Sequence, residues 1–367
     1  MTMPRSKYVQ EGQEGVFHCF SRCVRRAYLC GFDKATGRDF SHRKAWLVDR
    51  LRFLSGIFAI EVCAFAVMDD HHHTVLHVKP DIVNTWSDRE VAIRWLTLYP
   101  KQKKGPTEMQ ILALTNCPDR IAELRKRLSS LSWFMARLNE HIARAANKED
   151  DVKGRFWESR FKCQALVDCA AIAAAMVYVD LNTIRAGIAT TPEDSDFTSI
   201  QERIRSWRSE TMFHGSTPED SSSNLPSGSL DGERLLPDGD KDIPEGFAEE
   251  LQKGSISSSD WLCAIQSNSL RRGILPMTAA EYFELVDKSG RILRSGKRGA
   301  IDPNLAPILV RIGANPQAWT DTVSHFGTRF RLAAGLISNL RRYADQIGKQ
   351  WLVGSSAARV AFITSSA

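Results

Sequence analysis

The stretch from Ile57 to Val78 constrains this chain more than any other. Ala59 to Met68 is rich in Ile, Val, Ala and Phe, His71 to Val78 is a second β-prone run, and Asp69-Asp70 lies between them as a short turn. Two such runs predict an antiparallel hairpin of core strands. Side chains alternate faces along a strand, so His71 and His73 share one face while His72 points away. The pair forms a two-imidazole platform for a metal ion. His77 would lie roughly 13 Å beyond His73 at the strand rise, too far for the same ion, and is read as a surface or core histidine. The apolar run contains Glu61 and is much shorter than the roughly 20 residues that cross a bilayer, so it is a core strand.

Neighbouring segments extend the pattern. Val16 to Cys23 alternates as a half-buried strand, and Trp46, Leu47, Leu51, Leu54 and Ile57 recur at helical spacing. Ser87 with Glu90 forms a capping box before a helix that Pro100 ends, followed by a basic loop to Gly105. Ile121, Leu124, Leu128, Leu131, Met135, Leu138 and Ile142 step by three and four, which predicts one long helix or two broken near Ser129-Ser130. Asp168 to Asn182 is an Ala-rich helix stopped by Gly187. From about Ser209 to Gly246 the chain is rich in Ser, Pro, Gly and Asp and net acidic, the mark of a flexible linker. Beyond it, Thr278 with Glu281 makes another capping box, and Trp319 to Ile347 is amphipathic and helical in pattern.

Composition narrows the function classes. With 43% hydrophobic and 25% charged residues, the 367-residue chain is neither globally disordered nor a membrane protein. The polar N-terminus predicts a cytoplasmic protein. Eight scattered cysteines without a CxxC pair read as free thiols. Cys19, Cys23 and Cys30 with His18 match no common zinc module and are read as apolar filling. No P-loop, dinucleotide fingerprint or HExxH motif occurs, which argues against a nucleotide cofactor and zinc proteolysis.

The net charge of +6 is distributed unevenly. Basic residues cluster at Arg22, Arg25, Arg26, at Arg43, Lys44, Arg50, Arg52, at Lys153, Arg155, Arg160, Lys162, and at Arg291, Arg294, Lys297, Arg298. Their position around the motifs favours phosphate contact over a merely solvated surface.

Tyr178 and Asn182 lie four apart on the Ala-rich helix and share a face. An ordinary phenol, with a pKa of about 10, attacks phosphorus poorly unless a cation stabilises the developing charge. Two imidazoles and an amide oxygen, without thiolate, suit Mg²⁺ or Mn²⁺. Either residue taken alone would be ordinary core.

Together these motifs resemble a known family. Met68 to Leu76, with His71-His72-His73, resembles the His-hydrophobe-His motif of HUH single-tyrosine transposases, and Tyr178 to Asn182 resembles their catalytic helix. Phe20 to Arg26 and Gly154 to Phe161 add to the likeness, which spans about residues 15 to 200 and looks closest to the REP-associated tyrosine transposases. This chain departs from the family in having Asp70 where Asn is usual, His72 at an apolar position, and Thr183 where Pro follows Asn.

The resemblance implies a single-stranded DNA endonuclease and strand transferase acting on hairpin DNA. Tyr178 would form a 5′-phosphotyrosine and release a 3′-hydroxyl; His71, His73 and Asn182 would hold the Mg²⁺ or Mn²⁺. Arg22, Arg25, Arg26, Arg155, Arg160 and Arg185 would contact DNA, whereas Phe156 and Trp157 are read as core packing before base stacking. The alternative is a catalytically silent hairpin-binding protein that keeps the fold. The expected architecture is α+β: an antiparallel, ferredoxin-like sheet backed by helices over residues 1–207, a linker over 208–245, and a smaller, mainly helical unit over 246–367 that adds DNA contact. A monomer or homodimer is expected, with no membrane partner.

Overall fold

The structure is a computed structural model that describes residues 9–24, 30–34, 36–99, 105–214, 261–267, 272–294 and 306–363. Arg25, Arg26, the basic loop at 101–104, the expected linker from 215 onward, Lys297 and Arg298 lie outside the described residues.

The sheet is built from β1 (Gly15–Arg22), β4 (Ile60–Val67), β5 (His71–Val78), β6 (Lys162–Leu166) and β7 (Ala333–Ala334), in the order β4-β5-β1-β6-β7. A two-residue pair, β2 (Phe32–Asp33) with β3 (Arg38–Asp39), stands apart from it. Between β1 and β4 runs α1 (Arg43–Ile57), which returns the chain two places away from β1. The β4–β5 hairpin then fills the gap, and β6 closes the far side of β1. This is the split β-α-β order of a ferredoxin-like sheet. The four ferredoxin-like strands pair antiparallel, as expected, and the added pairing of β6 with β7 is parallel.

Helices α2 (Ile82–Thr85), α3 (Asp88–Leu98), α4 (Glu108–Thr115), α5 (Pro118–Leu128) and α6 (Leu131–Glu149) connect β5 to β6. The seven-position apolar stripe is thus two helices, broken at Ser129-Ser130. Arg43 is fully buried and pairs with Glu149 and Asp150 at 2.6 Å each, tying α1 to the end of α6. Lys44 is likewise buried against Asp69 at 2.6 Å, so neither cation is a phosphate contact.

Asp168 caps α7 (Cys169–Asp180) by accepting from the Ala171 N–H at 3.0 Å. The alanines of α7 are fully or almost fully buried, and their small side chains let the helix lie close across β4, β5 and β6. A break at Leu181 leads into α8 (Asn182–Arg185), and Gly187 ends the helical run with φ +70°. With Thr183 in place of a proline, the chain continues helical for one more turn.

Helix α9 (Ser199–His214) runs past the boundary expected at 207. The C-terminal part comprises α10 (Ala279–Arg294), α11 (Ala306–Arg311), α12 (Trp319–Ser324), α13 (Phe326–Arg329), β7, α14 (Ile337–Gln346) and α15 (Ser355–Ala361). Its helix content matches expectation, and it shares buried contacts with the sheet. Trp261, Leu285, Trp319 and Phe326 belong to one hydrophobic core with the sheet, and the Tyr282 hydroxyl donates to Asp180 at 2.6 Å. The Trp319–Ile347 run, expected to be helical, breaks at His325 and again around β7. There its backbone serves the sheet: Ala165 N–H donates to Leu332 O at 2.8 Å and Val167 N–H to Ala334 O at 3.1 Å. Gly335, at φ +151°, is required beside Asp168, where any Cβ would collide with the carboxylate.

Candidate active site

Strands β1 and β5 and helix α7 converge on one face of the sheet. Register places Phe20 opposite His73 and Arg22 opposite His71, so His18, Phe20, His71 and His73 share that face. The rings of His71 and His73 lie 5.0 Å apart, and the His73 ring meets the Tyr178 ring edge-on at 5.6 Å. The expected histidine pair and the expected phenol are therefore brought together. His72 points to the opposite face, where it is fully buried against Trp157 and its Nε2 lies 3.0 Å from Asn139 Oδ1. Asn139 also donates to Ser21 Oγ at 2.8 Å and accepts from the Trp157 indole at its backbone oxygen. Phe156 and Trp157 are buried, so core packing is their role.

Both platform imidazoles are held through Nδ1. Asp70 Oδ1 lies 2.5 Å from His71 Nδ1, and His18 Nε2 lies 2.9 Å from His73 Nδ1. The Nε2 atoms are left as the nitrogens able to face an ion, the carboxylate- or imidazole-backed arrangement typical of metal-binding histidines. Burial, reinforced by His18, His71, His72 and Arg185, holds the His73 pKa well below the ordinary imidazole range. Burial likewise lowers His18 to about 4 against a weaker opposing bond to Gln164. Both rings are thus neutral near pH 7, the form that can coordinate. The hydrogen bond from His71 keeps the Asp70 carboxyl below its usual pKa. Arg22 Nε stands 3.8 Å from Asp70 Oδ2.

Tyr178 is half-buried, and the Arg185 guanidinium lies 4.6 Å above its ring. Arg185 also donates to Ser324 O at 2.6 Å. Phe326 packs beside the phenol at 6.1 Å between ring centres, and a Cβ on Gly327 would lie 3.0 Å from the Tyr178 hydroxyl. Asn182 is buried at the start of α8, with its Nδ2 lacking a hydrogen-bond partner. Among the described residues no hydrogen bond joins it to either platform histidine. Arg155 and Arg160 are exposed on the segment before β6.

Sequence reasoning missed two elements. In sequence His18 is a position of an alternating strand, weighed with Cys19, Cys23 and Cys30 as a zinc set; its facing toward His73 depends on cross-strand register. Phe326 and Gly327 reach the phenol from far along the chain, and no local pattern marks them.

The donor chemistry fits a divalent ion: two imidazoles engaged through Nδ1 leave their Nε2 atoms as the nitrogens that could ligate one. No helix among the described residues is long and apolar enough to cross a membrane.

No family model matches the chain, and a search of the curated proteins finds no match. Among solved structures, the chain is similar to one described as the structure of a REP-associated tyrosine transposase bound to a REP hairpin. That likeness has 13% sequence identity and a TM-score of 0.29, and covers 65% of this chain and 100% of that one. A superposition that loose carries no weight of its own beside the strand order and site geometry.

Proposed function

We propose that this protein is a metal-dependent DNA strand transferase that cuts single-stranded DNA beside a hairpin, with Tyr178 as the nucleophile. The observation that carries this reading is the edge-on contact of the Tyr178 ring with His73, itself 5.0 Å from the ring of His71. Within this reading, His71, His73 and Asn182 hold Mg²⁺ or Mn²⁺, which supplies charge neutralisation at the scissile phosphate. Asp70 and His18 fix the tautomers of the two imidazoles. Arg185, above the phenol ring, places a permanent cation where phenolate charge develops.

Attack of the Tyr178 oxygen on phosphorus forms an O–P bond as the bond to the departing 3′-oxygen breaks. The phenolic proton is lost and the leaving oxygen gains one, giving a 5′-phosphotyrosine and a 3′-hydroxyl. A second 3′-hydroxyl reverses the step, so no nucleotide hydrolysis is required. Arg155 and Arg160 contact the phosphate backbone.

Incubation with Mg²⁺ or Mn²⁺ and end-labelled DNA hairpins carrying a single-stranded foot is expected to give a covalent protein–DNA adduct, lost in Tyr178→Phe. No adduct across such substrates would overturn the assignment. A second reading, a hairpin binder that does not cut, draws on the crowding at Gly327, where an added Cβ would lie 3.0 Å from the Tyr178 hydroxyl. It predicts a mobility shift with no adduct in the same assay.

A further inference from the structure

A second cluster of donor atoms lies on the outer strand of the sheet, apart from the histidine platform. Glu61 on β4 and His77 on β5 are directly paired in the antiparallel register, so their side chains leave the same face. The chain returns to this place from the far side of the sequence. Leu262 bridges to Val62, and Cys263 N–H donates to Val62 O at 2.8 Å, which sets the Cys263 side chain beside the pair. One ligand atom each from Glu61, His77 and Cys263 then lies within 4.8 Å of the others.

The contacts inside the cluster leave a donor unused. Cys263 Sγ is 3.4 Å from Glu61 Oε2. His77 Nε2 is held by Glu14 Oε1 at 2.8 Å, while His77 Nδ1 is buried 3.3 Å from Glu61 Oε2 with no aligned hydrogen bond. His77 is only 9% exposed, so water does not readily supply the missing partner. Lys79 lies 3.2 Å from Glu61 Oε1, the thiol of Cys63 is in hydrogen-bond reach of Cys263, and Arg203, which donates to Cys63 O at 2.8 Å, adds a second cation beside the cysteines.

We propose that Glu61, His77 and Cys263 form a Zn²⁺ site that clamps the segment around Cys263 onto the edge of the sheet. A carboxylate, an imidazole and a thiolate make a mixed donor set that suits Zn²⁺, whereas the thiolate disfavours Mg²⁺ and Mn²⁺. Cys63 or a solvent molecule completes a tetrahedral shell. The site is separate from the platform: His77 is four residues from His73 along β5, roughly 13 Å at the strand rise.

Burial opposes charge on each group, yet the proximity of His77 and Lys79 brings Glu61 to about 2. Cys263 is brought to about 7, chiefly by its bond to Cys63 against burial. Against burial, Cys263, Glu61 and Glu14 raise His77 to about 9, so a proton occupies the imidazole that the metal would take. Zn²⁺ uptake therefore displaces a proton from His77 and, where it is still protonated, one from Cys263, and affinity rises with pH.

The full-length protein, stripped with chelator and titrated with Co²⁺, is expected to develop a thiolate-to-cobalt charge-transfer absorption that Zn²⁺ abolishes. That absorption should persist in the His71→Ala/His73→Ala double variant and vanish in Cys263→Ser. No such absorption in the intact chain, or an undiminished one in Cys263→Ser, would overturn the site. Should Cys263→Ser fail to fold, Glu61→Gln is expected to weaken Zn²⁺ binding by about tenfold or more. An unchanged Zn²⁺ affinity in Glu61→Gln would equally dismiss the proposal.

Discussion

Nε2 of His18 stands 2.9 Å from Nδ1 of His73, and this contact decides which nitrogen His73 can present to an ion. His18 is 4% exposed in the middle of a core strand, and its other ring nitrogen lies 3.4 Å from Gln164 Oε1. His18→Ala should leave the sheet intact while freeing the His73 ring to turn. The expected result is a loss of about 10- to 100-fold in Mn²⁺ affinity, read by calorimetric titration, with adduct formation recovering at higher Mn²⁺.

Arg155 and Arg160 are exposed, unlike the buried Arg43 and Lys44, which the clustering of basic residues had placed in the same class. Replacing both by Ala should weaken binding of hairpin DNA without changing its sequence preference. The slope of log affinity against log salt should become shallower by about 0.7–0.9 for each phosphate that the variant no longer neutralises. An unaltered slope would remove these arginines from the DNA path.

Gly327 bears directly on the phenol. A Cβ there would sit 3.0 Å from the Tyr178 hydroxyl, tighter than ordinary packing, and a branched side chain would press harder. Gly327→Val is expected to cut the rate of adduct formation several-fold while hairpin affinity stays within about twofold, as measured by gel shift and quench-flow on the same preparation.

Asp180 supplies a pH signature. Its carboxylate accepts from Ser199 Oγ, from the Ile200 N–H at 3.0 Å and from Tyr282 at 2.6 Å, joining α7, α9 and α10. Burial nonetheless raises it to about 6, because those bonds only partly offset desolvation. With the folded value above the unfolded one, the native state holds the proton more tightly. Stability from this group is therefore full below about pH 4 and lost as pH rises through 6, on the order of 3 kcal/mol. Urea unfolding at stepped pH should show that decline in the parent and not in Asp180→Asn.

Much of this architecture could be read before any coordinates, for reasons that differ by element. The hairpin from Ala59 to Val78 and the helix from Cys169 to Asp180 carry periodic signals long enough to read locally, and they hold His71, His73 and Tyr178. Elements defined by distant partners were not legible. The strand Ala333–Ala334 is too short to show a period, and its neighbours Phe326 and Leu340 fit a helical stripe. The facing of His18 follows from the register of β1 on β5, and the meeting of Cys263 with Glu61 and His77 from a bridge across the sheet edge. Asn182 shows the limit in the other direction: its spacing from Tyr178 is as expected, yet its amide makes no hydrogen bond to the histidine pair.

The strand β7 has a further consequence. It seals the open border of β6, and Phe326 ahead of it packs on Tyr178, so the early and late parts of the polypeptide are interdependent. Cleaving the backbone between His214 and Trp261 should yield two pieces that stay associated and co-elute in size-exclusion chromatography. Supplied as separate polypeptides, the same pieces should restore DNA cutting only when mixed.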